Sequence, residues 1–363
     1  MAEHKGQTLH LTKPVFTVAW AAAGGQKEGD GPLGRGFDWI SEDSYFGCDS
    51  WEKAESTMIR GALTRCLEKA GRHPDCILGG DLLNQCISSA FAVKDTGLPY
   101  LGLYGACSTM AEGLGLAALL TESGLSSACA LTGSHFCAAE RQYRFPLEYG
   151  GQRTPTAQWT VTGAGAVLLA KKGAGPRITH VTPGRIVDAG ITDACNMGAA
   201  MAPAAFDTIM THFRDTGRSF DDYDAVFTGD LGAIGHDILQ DLLQREGLSP
   251  GMKYLDCGVL IYDLKTQDVH AGGSGCGCSA AVLCAHILPA MTRGVWKRVL
   301  FAGTGALMSP LSCQQGCSIP AVCHAVALEQ EAARWNFCFL TARPFWWADC
   351  SAVSARRSST APP

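Results

Sequence analysis

Charge is scarce in this chain, and what there is leans acidic. Only 17% of the 363 residues are Asp, Glu, Lys or Arg, with 29 bases against 34 acids and a formal net charge of −5. A general nucleic-acid binder needs a basic footprint, so this balance argues against one. Long apolar runs are missing too. The longest, around residues 164–170, has the size of a strand and falls far short of the roughly 20 residues of a membrane-spanning helix. The first residues, MAEHKGQTLHLTK, are polar and lack the apolar stretch of a secretory leader. Without a leader, the 17 cysteines are expected in a reducing compartment, not in a disulfide scaffold. Glycine, by contrast, is abundant: 43 residues without a three-residue period, as turns and close helix–strand packing require. A 47% hydrophobic content at this length can bury a large core, as one big α/β unit or as two domains.

Strand and helix patterns alternate along the chain. Residues 15–22 read as a strand and 24–36 as a Gly-rich connection. Residues 51–70 read as a helix with Met58, Ile59, Ala62, Leu63, Cys66 and Leu67 on one face. Asp49 or Ser50 is the expected N-cap and Gly71 the expected stop. Further strands are expected at 76–83, 127–134 and 159–170, with a short helix near 88–94 and a polar, aromatic loop over 141–158. After a charged Gly/Pro break at 171–176 the pattern restarts, with strands at 177–188, 224–229, 259–264, 298–304 and 319–329. Helices are expected there at 201–216, 237–246 and 279–291.

The two passes resemble each other. Ile77-Leu78-Gly79-Gly80-Asp81-Leu82 reads like Val226-Phe227-Thr228-Gly229-Asp230-Leu231. Cys129-Ala130-Leu131-Thr132-Gly133-Ser134 reads like Leu300-Phe301-Ala302-Gly303-Thr304, and residues 164–169 read like 324–329. Alternating strands and helices imply mostly parallel sheets with helices on their faces. Two such halves related by a pseudo-twofold would place a site between them, at the carboxyl ends of the strands.

One stretch stands out, residues 100–120 (YLGLYGACSTMAEGLGLAALL). It reads as a strand, a small-residue turn and a helix, with Cys107 at the turn. A thiol at a helix N-terminus faces unpaired N–H groups and the positive end of the dipole, which favour a thiolate or a bound anion. The bland alternative is one more buried, inert cysteine among many.

A duplicated βα half with a cysteine at such a turn resembles the thiolase superfamily, which includes thiolases and β-ketoacyl synthases. Within it the chain looks most like the stage V sporulation protein AD family. That likeness rests on 141–166 (RQYRFPLEYGGQRTPTAQWTVTGAGA), 196–208 (NMGAAMAPAAFDT), Thr228-Gly229-Asp230-Leu231 and 303–310 (GTGALMSP). The resemblance implies an α/β, five-layered αβαβα fold of two βαβαβαββ halves, 1–172 and 173–329, followed by an atypical tail at 330–363. It also implies a homodimer formed through the first half, and a protein that binds dipicolinic acid (pyridine-2,6-dicarboxylate). Such a protein would serve the stage V A membrane complex that moves this compound, with calcium, across the spore inner membrane, lying peripheral to that membrane.

The same resemblance permits a check on catalysis. Condensing enzymes of this superfamily pair the nucleophilic Cys with a His and an Asn from the second half, or, in thiolases, with a His in a GHPxG run and a second Cys. These partners polarise the thioester and stabilise the oxyanion. Cys107 matches the nucleophile. The strand end that should carry the synthase His has Asp230 instead, and the loop that should carry Asn or GHPxG reads His270-Ala271-Gly272-Gly273-Ser274-Gly275-Cys276-Gly277-Cys278. Cys317 falls near the second thiolase Cys, but Ser318-Ile319-Pro320 follows it where glycines should be. An Asp would repel an oxyanion, and losing one oxyanion donor alone costs roughly 100- to 1000-fold in turnover. The expectation is a non-enzymatic fold whose pocket is kept for binding. The alternative is a Cys-dependent condensing or acyl-transfer enzyme with a recruited His such as His135, His236 or His270.

Dipicolinate is a flat dianion that wants N–H donors, cationic groups and a bridging calcium. The residues expected to line its site are Cys107, Ser108, Asn84 (with Gln85 beside it), His135, Asp230, Gly303, Gly305 and Ser309. Arg141 and Arg144 could pair with a carboxylate, a solvated or dimer-contact role being the competing reading. Calcium, arriving with dipicolinate, is the one candidate co-ligand. No resident cofactor or metal is expected, because Cys276-Gly277-Cys278 lacks a second ligand pair. His4, His10, His73 and His180 follow no pattern. In the tail, Trp335, Trp346 and Trp347 precede a basic, Ser-rich end at 351–363, which reads as a poorly ordered extension or as a membrane-interface segment.

Overall fold

The computed structural model describes residues 2–143 and 152–330. Arg144 and the tail considered above lie outside that range. Ten strands form the main path of the sheet: β1 (Thr8–Gly25), β2 (Cys76–Gly80), β3 (Tyr100–Gly102), β4 (Ser127–Ser134), β5 (Gly163–Ala170), β6 (Arg177–Thr182), β7 (Ala225–Thr228), β8 (Tyr254–Asp256), β9 (Arg298–Ala306) and β10 (Ala321–Glu329). Their order is β8-β7-β9-β10-β6-β1-β5-β4-β2-β3. From the central β6–β1 pair outward, β1, β5, β4, β2, β3 on one side match β6, β10, β9, β7, β8 on the other. In each set the last strand in sequence, β5 or β10, runs antiparallel to both neighbours, and the outer pairs are parallel. The repeat read from the sequence is therefore a repeat of topology.

Six helices matter to the site: α1 (Trp51–Ala70), α2 (Thr109–Ser123), α3 (Phe136–Tyr143), α4 (Met197–Thr216), α5 (Gly232–Arg245) and α6 (Cys276–Val282). The layers follow from strand periodicity, since alternate residues point to opposite faces. On β5, Ala164, Ala166 and Leu168 pack outward against Met58, Ile59, Ala62 and Leu63 of α1. Val167 and Leu169 point inward to Met110, Leu114 and Ala118 of α2 and to Ala280 and Ala281 of α6. On β10, Cys323, Ala325 and Ala327 face Ala204 and Ile209 of α4 and Leu239 of α5, while Val326 and Leu328 join the central core. Helices thus lie outside, between and outside the two half-sheets, giving five layers. Each fully buried Leu, Ile or Met contributes about 2 kcal/mol, and the central layer is held from both sides.

Local chemistry sets the ends. Helix α1 keeps its expected bounds because the Ser50 hydroxyl accepts the Lys53 N–H and Gly71 closes it with φ 62°. Helix α4 begins at Met197, earlier than the expected 201, because the Asn196 side chain accepts the Ala199 N–H and starts the helix there. Two expectations are corrected. The strand expected at 259–264 is not formed: Cys257–Leu260 is a turn of helix, because the Asp256 carboxylate caps the Val259 N–H, and the strand is β8 just before it. The loop expected from 141 is preceded by α3, which runs through Tyr143. Its first turn is anchored by Phe136 N–H to Thr162 Oγ1 and Ala139 N–H to the His135 carbonyl.

Candidate functional site

Strand β3 leads into the turn that carries Cys107. Ala106 sits at φ 50°, a left-handed conformation that L residues rarely adopt, and opens the 3-10 turn Ala106–Ser108 that feeds α2. Two hydroxyls hold the turn: Ser108 Oγ donates to the Gly105 carbonyl at 2.7 Å, and Thr109 Oγ1 to the Ala106 carbonyl at 2.7 Å. Strand β9 lies directly underneath. A Cβ on Gly305 would stand 2.6 Å from the Gly105 carbonyl oxygen, and one on Gly303 would stand 2.6 Å from the Ala111 Cβ. Both glycines exist so that the turn and α2 can rest on β9.

A cavity of about 160 Å³ opens at the Cys107 turn. Leu82, Ala106 and Cys107 form one wall, with Ala139, Glu140 and Tyr143 of α3 beside them. The second half supplies Ser274, Gly275, Ala306 and Met308, while Gln158, Thr160, Cys195 and Met197 complete the lining. Tyr143 is fixed by its hydroxyl to the Leu82 carbonyl at 2.8 Å, and Thr160 Oγ1 donates to the Glu140 carboxylate at 3.2 Å. Among the described lining residues there is no Lys, Arg or His.

Asp230, fully buried at the end of β7, stands against Cys107 from the opposite half. Its carboxylate accepts Ser274 Oγ at 3.1 Å, the Gly275 N–H at 2.9 Å and Thr304 Oγ1 at 2.9 Å. Its backbone carbonyl accepts Gln158 Nε2 at 2.8 Å. Burial raises its pKa to about 6, against the bonds from Cys107, Gly275 and Thr304 that favour the ionised form. Burial also pushes the Cys107 thiol well above its ordinary range, with the Asp230 carboxylate and the neighbouring Cys276 acting in the same direction. Cys107 is a protonated thiol at neutral pH. The helix N-terminus favours a thiolate in isolation, and burial beside a carboxylate outweighs it.

Asp230 has a counterpart in the first half. Asp81, at the equivalent strand end, accepts Leu83 N–H at 2.9 Å, Ser89 N–H at 2.7 Å and Ser89 Oγ at 2.6 Å. The repeated acid after each paired strand is therefore a turn-holding carboxylate, and the second copy stands against Cys107.

The structure brings few of the other expected residues to this cavity. Ser108 turns its hydroxyl back to Gly105, and Gly303 and Gly305 serve packing. Asn84 sits in a separate surface groove, its Oδ1 accepting the Tyr104 hydroxyl at 3.2 Å. His135 is buried elsewhere: its Nε2 contacts the Ser44 carbonyl at 2.8 Å and its Nδ1 accepts the Cys137 N–H at 3.2 Å. Ser309 is exposed and caps the short helix Pro310–Gln314. Arg141 is taken by Glu52 and lies over the Trp51 ring. His236 stacks on Tyr254, and His270 contacts the Thr154 carbonyl. Gln158, Thr160, Glu140, Tyr143 and Cys195 were missed. The alternation of Gln158, Thr160 and Thr162 with Trp159 and Val161 is a signal for the first two, and within it Trp159–Thr160 forms a short strand paired with Gly273–Ser274. Among the described residues no cluster of three or more His, Cys, Asp or Glu could hold a metal.

Against known proteins, the family model for stage V sporulation protein AD matches residues 5–329. Stage V sporulation protein AD of Bacillus subtilis (strain 168) is 44% identical over 328 residues, which is 89% of this chain and 97% of that protein. Among solved structures, a single-substitution variant of OleA from Xanthomonas campestris aligns with TM-score 0.57 at 14% identity, covering 88% of this chain and 99% of the other. The 3-oxoacyl-(acyl-carrier-protein) synthase III of Aquifex aeolicus VF5 aligns with TM-score 0.52 at 13% identity, covering 87% and 99%. At such identities the likeness speaks to fold alone, and the fold is thiolase-like.

Proposed function

Since this chain belongs to the stage V sporulation protein AD family, we propose that it binds dipicolinic acid in the cavity at the Cys107 turn, without acyl-transfer chemistry. The observation that carries the reading is what faces Cys107. A condensing enzyme needs donors there for a developing oxyanion. Here a buried carboxylate, fixed by three hydrogen bonds, stands opposite, and burial together with that carboxylate favours the protonated thiol. An oxyanion next to Asp230 would be repelled, whereas the enclosed cavity itself remains open to a small planar ligand.

Calcium is the natural companion of this ligand. A bare dianion would be desolvated beside Glu140, with Asp230 behind Cys107, while its calcium chelate is neutral and carries its own metal ligands. We take the protein to act at the spore inner membrane as the peripheral component of the complex that moves calcium dipicolinate. Among the described residues no helix is long and apolar enough to cross a membrane. Ile87, Phe91, Leu101, Tyr104 and Leu116 are exposed in the first half, as Ile186, Met252, Val295 and Leu311 are in the second, and we take the first-half set to support a homodimer. Sedimentation equilibrium of the full chain would show it, and a monomer at micromolar concentration would remove this part.

Titration calorimetry with dipicolinate, with and without equimolar calcium, tests the binding. Saturable heat is expected for dipicolinate and none for pyridine-2-carboxylate. Folded protein that gives no heat at millimolar ligand in either condition would overturn the proposal. Intact-mass analysis after incubation with acetyl-CoA should show no adduct. An acyl group on Cys107 that disappears in Cys107→Ser would restore the enzymatic reading.

A further inference from the structure

Far from the cavity, the β1–β6 pairing joins the two halves, and a hydrogen-bond chain crosses it. Thr8 Oγ1 of β1 lies 2.9 Å from Thr182 Oγ1 of β6. Thr182 Oγ1 is 2.7 Å from Nδ1 of the buried His212 on α4, whose Nε2 is 2.6 Å from the Tyr223 hydroxyl. Arg218 Nη1 donates to that hydroxyl at 3.2 Å, and Thr8 Oγ1 lies 3.2 Å from Asp215 Oδ2. A carboxylate can only accept, so Asp215 sets the direction of each bond as far as His212 Nδ1, and a neutral His212 with its proton there leaves Nε2 as the acceptor for Tyr223. Thr8 donates to Asp215, Thr182 to Thr8, and His212 Nδ1–H to Thr182. Tyr223 then donates to His212 Nε2 and accepts from Arg218. Every proton in the chain has an acceptor only with His212 neutral and its proton on Nδ1.

We propose that this chain is an acid-sensitive latch between the halves: it holds β1 to β6 while His212 is neutral, and protonation of His212 releases the pairing. A proton on Nε2 would point at an oxygen already facing Arg218, and the Tyr223 proton would lose its acceptor. Around the ring Asp215 favours the cation, while burial, His180 and Arg218 oppose it and prevail. His180, on β6, meets His212 edge-on at 6.0 Å between centroids, and His10 of β1, its cross-strand partner, stacks on His180 at 4.7 Å. The nearby acids each have a charged partner of their own. Glu329 of β10 binds Arg218 at 2.7 Å and Arg177 at 3.5 Å, Asp215 binds Arg214 at 3.3 Å, and Glu3 lies 3.8 Å from His10. Burial, followed by His180 and Arg218, takes the His212 pKa down to about 3, and burial, Arg218 and His10 take His180 to about 4.

The sign follows from linkage. A histidine whose folded pKa lies below its unfolded value stabilises fully above about pH 6.5, and that contribution is lost as pH falls. Asp81, Asp230 and Asp256, all raised by burial, act in the opposite sense, so global stability would hide the effect. Local amide exchange at the pairing does not. Hydrogen exchange by mass spectrometry, on the full chain and corrected for intrinsic rates, should show peptides spanning residues 8–12 and 177–182 opening about 30-fold more at pH 5 than at pH 7.5 for His212 alone. His212→Gln keeps one acceptor for Tyr223 and one donor for Thr182, yet does not titrate, so it should remove that factor. Pairing whose protection is independent of pH, or a His212→Gln protein that keeps the full dependence, would overturn the latch. If that variant fails to fold, ¹⁵N shifts of His212 in the unmodified protein decide. The Nδ1–H tautomer at pH 7.5 is required, and the Nε2–H tautomer overturns it.

Discussion

Asp230→Ala is expected to destabilise the protein by about 3 kcal/mol or more and to abolish ligand binding at the cavity. The carboxylate accepts from Ser274 Oγ, the Gly275 N–H and Thr304 Oγ1, all buried. Removing an acceptor costs about 1–3 kcal/mol for each donor left without a partner, and the Gly275 N–H cannot rotate to find another. The loss should also depend on pH. Asp230 has a folded pKa of about 6 against an ordinary 3.8, so its stabilising contribution is full below the lower value and fades as pH rises through 6. Alanine lacks this term, and the gap between the two proteins should be wider at pH 5 than at pH 7.5 by about 1 kcal/mol. Urea unfolding at both pH values measures it. A variant within 1 kcal/mol of the unmodified protein at pH 5 would show that Asp230 does not hold this loop.

Gly305→Ala should damage the site from the other side. Its methyl group would stand 2.6 Å from the Gly105 carbonyl oxygen and 3.0 Å from the Ser108 nitrogen, both backbone atoms of the turn that presents Cys107. Backbone cannot swing aside as a flexible side chain can, so the turn must lift off β9. Overpacking of this kind costs about 1–3 kcal/mol. The same displacement moves Ala106 and Cys107, which line the cavity, and dipicolinate affinity should fall at least about tenfold. Gly102→Ala is the control, because its nearest neighbour would be 3.6 Å away in ordinary contact. Calorimetry on the two variants reads the difference. Equal affinities would mean that the turn is not part of the binding wall.

Much of the scaffold was legible because it is written in short-range terms. The bounds of α1 follow from Ser50, Gly71 and a helical apolar stripe, and β4 is a run of small and branched residues that ends where expected. The duplication showed itself through Asp81 and Asp230 at matching strand ends. The errors occurred where one side chain overrode a pattern. Asp256 turned an apolar run into a helical turn by capping Val259. Among the site residues, Cys107 was visible from its turn, and Asp230 from a repeated motif. His135, which follows a strand, Asn84, expected from the superfamily resemblance, and Ser309, expected on the far wall, each have polar atoms committed to nearby backbone or side-chain partners instead.

The amino-acid order by itself determined the alternation of strands and helices, the doubling of the unit, and the presence of a thiol at a strand-to-helix turn. Periodicity and turn chemistry act within a few residues, and they suffice for that much. What stands opposite the thiol was decided by tertiary structure. Asp230, Gln158, Ser274 and Met308 meet the Cys107 turn across more than 50 residues of sequence. Periodicity tells which face of an element is buried, but not which element that face will meet. The balance between a helix end that favours a thiolate and a buried carboxylate that forbids one depends on that meeting, and burial made the carboxylate prevail.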